Sequence, residues 1–332
     1  MIELDESKAR AFLAKNKIVN CEIKKVAGDA SFRSYYRIFT GSEIYILMFA
    51  PPSHEDIKPF VKIAEFLVSQ DFSAPKIFAR DDEFGFLLLE DFGDDTYTRV
   101  LARDVAQELE LYEKAGACLL ELHKKDAPKD IPTYNHALLF REVMLFIDWY
   151  LPLQKKSMSL QDRASFKFLW FQVFDQMAQM KSLRNHLQKN EDPVLVLRDY
   201  HADNLMILPS RDGVKQVGLL DFQDAVLGSK AYDLVSLLED ARRDVSEENR
   251  TKLLEYYLSN ADCDKEAFKT DYEILSLQRN MKILGIFARL SVRDGKHNYL
   301  NYMPRVLGFV KARLETKNVA LLEISHLIKK FI

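Results

Sequence analysis

Three short apolar runs lie deep in a half of the chain that otherwise reads as helix, and each ends in acids or amides: LVLRDYHADN at 195–204, LMIL at 205–208 and QVGLLDFQDA at 216–225. Runs of about four aliphatic residues bounded by polar clusters suit short strands better than helices. Asp199 and Asn204 stand five apart on the loop between two of these strands, and Asp221 ends the third, 17 positions after Asn204. Two carboxylates and an amide oxygen presented from strand ends suit one hard cation and a hydroxyl to be polarised. Mg2+ takes one or two carboxylates and completes its shell with phosphate oxygens and water. Phosphoryl transfer needs such a metal together with a carboxylate that accepts the nucleophile's proton. Asp-x4-Asn followed one hairpin later by Asp-Phe is the kinase spacing of catalytic loop and metal-binding loop. His201 shares the loop, but no second His or Cys lies at ligand spacing, which argues against a transition-metal site.

Elsewhere the periodicity divides the chain in two. Residues 5–17 read as a short helix. Residues 22–50 alternate with period two and carry turns at Gly28-Asp29 and Gly41-Ser42, the pattern of a strand meander. A helix over 54–69 has Ile57, Phe60, Val61, Ala64, Leu67 and Val68 on one face. Residues 76–90 return to strands around an Asp81-Asp82 turn. Helical patterns then cover 98–125, 137–156, 159–189, 231–243, 247–259, 267–292 and 302–330. With 332 residues, more than one core usually organises, the expectation is two domains: a β-rich 1–92 with one helix, and a helical 93–332 holding the embedded hairpin.

Composition narrows the function classes. A net charge of −3 with both signs interspersed implies no nucleic acid partner. The longest apolar stretches, such as 44–50, are far too short to cross a bilayer. The N-terminal MIELDESKAR lacks the apolar region of a signal peptide, and three widely spaced cysteines suggest neither disulfides nor a C-x-x-C metal site. A cytoplasmic protein with no membrane or obligate protein partner is the expectation.

RDYHADNLMIL, GLLDFQDA and AYDLVSLL together resemble the aminoglycoside phosphotransferase-like kinases. GDASFRSYYRI, LMFAPP, LLLEDFGDDTY, REVMLFIDWYL and LLDFQDAVLGSKAYDLVSLLED are similar, more narrowly, to the anomeric N-acetylmuramate/N-acetylglucosamine kinases of bacterial cell-wall recycling. The resemblance covers roughly residues 20–320 and is strongest over 195–240. It implies an α+β, bilobal protein-kinase-like fold, with a small antiparallel sheet lobe and a larger helical lobe. It implies ATP and Mg2+ as cofactors and an amino sugar as acceptor. By position, Asp199 would be the catalytic base, and Asn204 and Asp221 would hold the metal. Asp233 would brace the catalytic loop, although an N-cap role for a following helix would also suit it. Gly28, Asp29, Ala30, Ser31, Phe32 and Arg33 would form the turn that covers the phosphates. Glu90, Asp91 and Phe92 would form the linker whose backbone meets adenine.

On the acceptor side, the resemblance points to helices over 135–152 and 160–190. His201, Glu142 and Trp149 are the candidate sugar contacts, since carboxylates and aromatic faces commonly hold sugars. Residues 136–189 carry four acids against eight Lys or Arg, a balance that suits a neutral or anionic acceptor better than a polycationic aminoglycoside.

The chain departs from the broader kinase pattern twice. Leu197 stands where many such kinases have a histidine. More consequentially, EIYILMFA has no lysine on the third strand, and Met48 sits where the phosphate-pairing Lys would be. Arg33 and Arg37 are the nearest replacements. Two alternatives follow: a kinase of another small acceptor (an aminoglycoside, a choline-like alcohol or an amino alcohol), or a nucleotide-binding pseudokinase.

Overall fold

The computed structural model describes residues 4–28, 32–177 and 192–332. The expected phosphate-turn residues Asp29, Ala30 and Ser31, and the end of the expected helix 159–189, lie outside the described residues. The chain divides into two compact units. Unit 1 comprises 1–104 and 203–224, and unit 2 comprises 105–202 and 225–332.

Unit 1 is built on an antiparallel sheet of β1 (Glu22–Gly28), β2 (Ser34–Phe39), β3 (Ile44–Phe49), β4 (Ile77–Asp81) and β5 (Phe86–Glu90) in the order β1-β2-β3-β5-β4. Side chains alternate faces along a strand. On one face Ile38, Leu47, Phe49, Phe86 and Leu88 pack against Ala9, Phe12 and Leu13 of α1 (Glu6–Lys15). Asp5 starts that helix by accepting the N–H groups of Ser7 and Lys8. Met48, Leu87 and Leu89 alternate to the opposite face and are also buried. Gly85 has φ +69°, and a Cβ there would sit 1.9 Å from the Ala50 carbonyl oxygen, so only glycine closes this turn. α2 (Lys58–Ser69) and α3 (Tyr97–Arg103) belong to the same unit, as does the hairpin of β7 (Leu205–Ile207) and β8 (Val217–Leu219).

The expected helix 98–125 is two helices. α3 starts at the Thr96 cap and ends where Asp104 turns extended, and α4 (Glu108–Leu122) follows in the other unit. The continuous apolar period hides the break because each half finds its own core.

Unit 2 is organised around α9 (Lys265–Asp294), a 30-residue helix buried along most of its length. It packs on α5 (His136–Leu145), α7 (Ala231–Leu238) and α10 (Met303–Leu314). α6 (Leu160–Asp175), α8 (Glu247–Asn260) and α11 (Leu322–Lys329) are further helices of this unit. β6 (Val194–Val196) pairs with β9 (Val226–Gly228), a strand of three residues that sequence periodicity does not reveal. The expected helix 137–156 widens into a π-helical segment at Phe146–Tyr150. Gly285 of α9 approaches Leu145 so closely that a Cβ would lie 2.3 Å from the Leu145 carbonyl carbon. Among the described residues, no helix is long and apolar enough to cross a membrane.

Gly285→Ala is expected to destabilise unit 2 by about 1–3 kcal/mol through overpacking, despite alanine's better helix propensity. The comparison is Gly308→Ala in α10, where no described atom lies within 4 Å and propensity alone should raise stability. Calorimetric melts that lower the midpoint for the first substitution and not the second would match this packing.

Candidate active site

In unit 2 the catalytic-loop sequence leaves β6 and turns sharply. Arg198 has φ +72°, a left-handed conformation costly for a side chain of this size. Asp233, fully buried in the first turn of α7, holds that turn. Its carboxylate accepts the N–H of Leu197 at 2.6 Å and of Arg198 at 2.8 Å. The carboxylate therefore braces another segment instead of capping its own helix. Burial pushes the Asp233 carboxyl up to about 7, while the two N–H groups and Arg279 pull it back.

The Arg198 side chain is fixed as well. Its guanidinium donates to the buried Glu142 of α5 and lies over the Tyr134 ring, 5.6 Å from the centroid. Glu142 also meets Lys282 of α9 at 3.1 Å and accepts the Tyr134 hydroxyl and, at 3.4 Å, the Gln278 amide. Burial alone would raise the Glu142 carboxyl, but Lys282, Arg198 and the Tyr134 hydroxyl hold it below its ordinary value. This acid, expected from sequence to reach a sugar, is surrounded by partners within unit 2.

Asp199 follows, partly buried, in a tight turn where its N–H donates to Leu197 O at 2.9 Å and its carbonyl accepts His201 N–H at 3.1 Å. Burial would raise its carboxyl. Lys282, His201, Arg279 and Arg198 outweigh that and bring it below the ordinary carboxylate range. The His201 contribution holds only while the ring is charged, and burial lowers the His201 pKa. At neutral pH Lys282, Arg279 and Arg198 carry the effect. His201 is buried, with Arg242 Nη1 3.3 Å from its Nε2, so it too lies among protein partners. Trp149, in the π-helical segment, is partly exposed.

Sequence reading overlooked Lys282 and Arg279. They lie three apart on α9, hence on one helical face, among the buried Gln278, Asn280, Met281 and Ile283. Two cations inside an otherwise buried helical stretch were the available signal. Arg279 donates to Ser236 Oγ at 2.6 Å.

In unit 1 the β7–β8 register sets Leu205 opposite Leu219, and Leu220 N–H donates to Asn204 O at 3.0 Å. Asn204 and Asp221 therefore share one end of this hairpin. Asp221 has φ +56°, and its side chain is 44% exposed, which leaves the carboxylate accessible to a cation. Gln223 Nε2 donates to its Oδ1 at 2.8 Å. The next residue, Phe222, is fully buried against Phe60 of α2 with ring centroids 5.0 Å apart, and this anchors the loop. Asp199 belongs to unit 2; Asn204 and Asp221 belong to unit 1.

Gly28 ends β1 opposite Ser34, and Phe32 is half exposed with its ring 4.4 Å from the His54 ring. Arg33 lies 3.9 Å from both Asp221 and Glu55. Arg37, the other expected phosphate cation, is engaged elsewhere: it reaches Asp91 at 2.6 Å, Asp94 at 3.0 Å and the Gly93 carbonyl at 3.1 Å. It ties residues 91–94 to β2. Glu90 pairs with Arg211, whose guanidinium also donates to Ser73 Oγ at 2.6 Å and lies over Phe92. The side chains of Glu90 and Asp91 thus fix the segment.

Residues 22–268 match the sequence model of APH, described as the phosphotransferase enzyme family. The chain belongs to this family. It is 35% identical to an N-acetylmuramate/N-acetylglucosamine kinase of Caulobacter vibrioides over 91% of this chain and 90% of that one. It is 34% identical to the protein of that name from Pseudomonas aeruginosa, over 98% and 94%. Among solved structures it is similar to the ADP-bound aminoglycoside phosphotransferase APH(2'')-Ib, with TM-score 0.60 and 16% identity over 93% of this chain and 99% of that one. It is similar also to the choline kinase LicA of Streptococcus pneumoniae, with TM-score 0.61 and 14% identity over 92% and 99%. These likenesses show the fold: this phosphotransferase is α+β and protein-kinase-like, with the antiparallel sheet in unit 1 and the helical set in unit 2.

Glu142→Gln removes the carboxylate that Arg198 and Lys282 share. Breaking a buried ion cluster in this way costs about 3–5 kcal/mol, and melting should fall by several degrees. Adding Lys282→Gln should recover part of the loss, since the two changes touch one network. Additive losses in the double variant would contradict the shared network.

Proposed function

We propose that this phosphotransferase moves the γ-phosphoryl group of ATP, with Mg2+, to the anomeric hydroxyl of N-acetylmuramate or N-acetylglucosamine. The observation that carries the chemistry is the set of cations around Asp199 (Lys282, Arg279 and Arg198), which holds this carboxyl below its ordinary range and able to accept a proton. The acceptor is inferred from relatives bearing the N-acetylmuramate/N-acetylglucosamine kinase name at 33–35% identity.

Asp199 is assigned as the base that orients and deprotonates the attacking hydroxyl. Asn204 and Asp221 are assigned to the metal. One exposed carboxylate plus an amide oxygen fits Mg2+, which leaves most of its shell to phosphate and water. When bound, Mg2+ neutralises phosphate charge. The segment 28–33 is assigned to the phosphates and the 90–92 backbone to adenine. Glu142 and His201, both buried, are assigned to support of the catalytic loop, and Trp149 to the acceptor's apolar face. An ATP-consuming reaction on a free amino sugar fits a cytoplasmic setting.

Asp199→Asn should abolish turnover in an ADP-release assay with either amino sugar while leaving ATP affinity within a few fold of wild type. Turnover near the wild-type rate would remove Asp199 from the role of base. The pH dependence has a definite sign. A depressed pKa keeps Asp199 ionised down to below about 3.9, the ordinary aspartate value, so the acid limb of kcat/KM should lie low. Lys282→Met removes the strongest of the attractions and should move that limb upward. An unmoved limb would show that Lys282 does not set the charge state of the base.

A further inference from the structure

We propose that Arg33 supplies the phosphate-binding cation of this chain, standing in for the lysine that protein kinases carry on the third strand. The inference rests on the ATP-dependent reading above and names a residue for its least conventional part. In protein kinases the strand lysine pairs with the α/β-phosphates and is steadied by a glutamate on the neighbouring helix. Here residues 43–52 contain no Lys or Arg, Met48 is fully buried, and Glu65 of α2 is exposed. Arg37 is committed to Asp91 and Asp94.

Arg33 has both parts of the missing pair around it. Its Nε lies 3.9 Å from Glu55 Oε2, and its Nη2 lies 3.9 Å from Asp221 Oδ1. The glutamate comes from the segment leading into α2 instead of from the helix itself. The aspartate is the carboxylate assigned to the metal. A metal held by Asp221 would bring phosphate with it, so a cation beside that carboxylate would face the same phosphates. At 3.9 Å the acids hold the guanidinium by charge, beyond the roughly 2.7–2.9 Å of a charge-assisted hydrogen bond. A guanidinium presents a planar fork of five N–H donors that matches phosphate oxygens in pairs. Its side chain is only 11% exposed, so its charge is poorly screened and its geometry restricted. The neighbouring Tyr35 hydroxyl lies in the field of the same charges. Burial pushes its hydroxyl up to about 12, with Arg33 pulling it down and Asp221 and Glu55 pushing it further up.

The test is isothermal titration calorimetry of the full chain with MgATP and, separately, with adenosine, which has no phosphates. Wild type should bind both, and failure to bind MgATP would overturn the kinase reading itself. Arg33→Met should weaken MgATP binding tenfold or more and leave adenosine affinity unchanged, with Arg33→Lys in between. Equal MgATP affinity in wild type and Arg33→Met would overturn the assignment of Arg33 and leave the kinase reading standing. If the methionine variant loses cooperative melting, Arg33→Gln, which removes charge and keeps polarity, carries the same comparison with the same two outcomes.

Discussion

Two backbone N–H groups, those of Leu197 and Arg198, meet one buried carboxylate, that of Asp233, and the conformation around Asp199 depends on this contact. A left-handed arginine costs on the order of 1–3 kcal/mol. Each such hydrogen bond returns about 0.5–1.5 kcal/mol, and more while the carboxyl is ionised, so the pair offsets the cost of holding Arg198 at φ +72°. Once the backbone is turned, the Arg198 side chain reaches Glu142, and Glu142 in turn fixes Lys282. Asp199 therefore inherits both its position and its charged state from residues on α5, α7 and α9. The turn at 197–199 is thus set from behind, by Asp233.

Unit 1 uses charge in a similar way. Its arginines are distributed among distinct tasks that sequence order alone does not separate. Arg37 fixes 91–94, Arg211 fixes Glu90 and Phe92, and Arg33 stays beside Asp221. Asp221 again has a left-handed backbone, here anchored by the burial of Phe222 against Phe60. In both units a left-handed residue stands at or beside the carboxylate, held by the hydrogen bonds to Asp233 in one and by the packing of Phe222 in the other.

The sheet meander at 22–50, the β4–β5 hairpin and the long helix near 267–292 were legible because each keeps one period over several turns or strands. The break at Asp104 was not, since its flanking apolar faces continue in phase while joining different cores. β9 was missed because it has only two aliphatic residues, Val226 and Leu227, ahead of Gly228, and the close approach of Gly285 to Leu145 spans 140 positions. At the candidate site, Asp199, Asn204 and Asp221 stood out by spacing and framing, and Asp233 through the resemblance of AYDL. Glu142 was legible as a functional acid, but its partners Arg198 and Lys282 come from distant segments, so sequence suggested a surface role for a buried one. Lys282 and Arg279 fell within the helical pattern 267–292 and were not singled out. Long-range charge pairing leaves almost no local trace.

The central claim is that this fold phosphorylates the anomeric oxygen of an amino sugar. Phosphorus NMR of the product formed from ATP and N-acetylmuramate or N-acetylglucosamine tests it most directly, because a sugar 1-phosphate couples to the anomeric proton and a phosphate elsewhere on the ring does not. The account predicts a new sugar-phosphate signal with that coupling, formed in step with ADP. A product phosphorylated at another hydroxyl, or ATP left intact with both sugars, would contradict it.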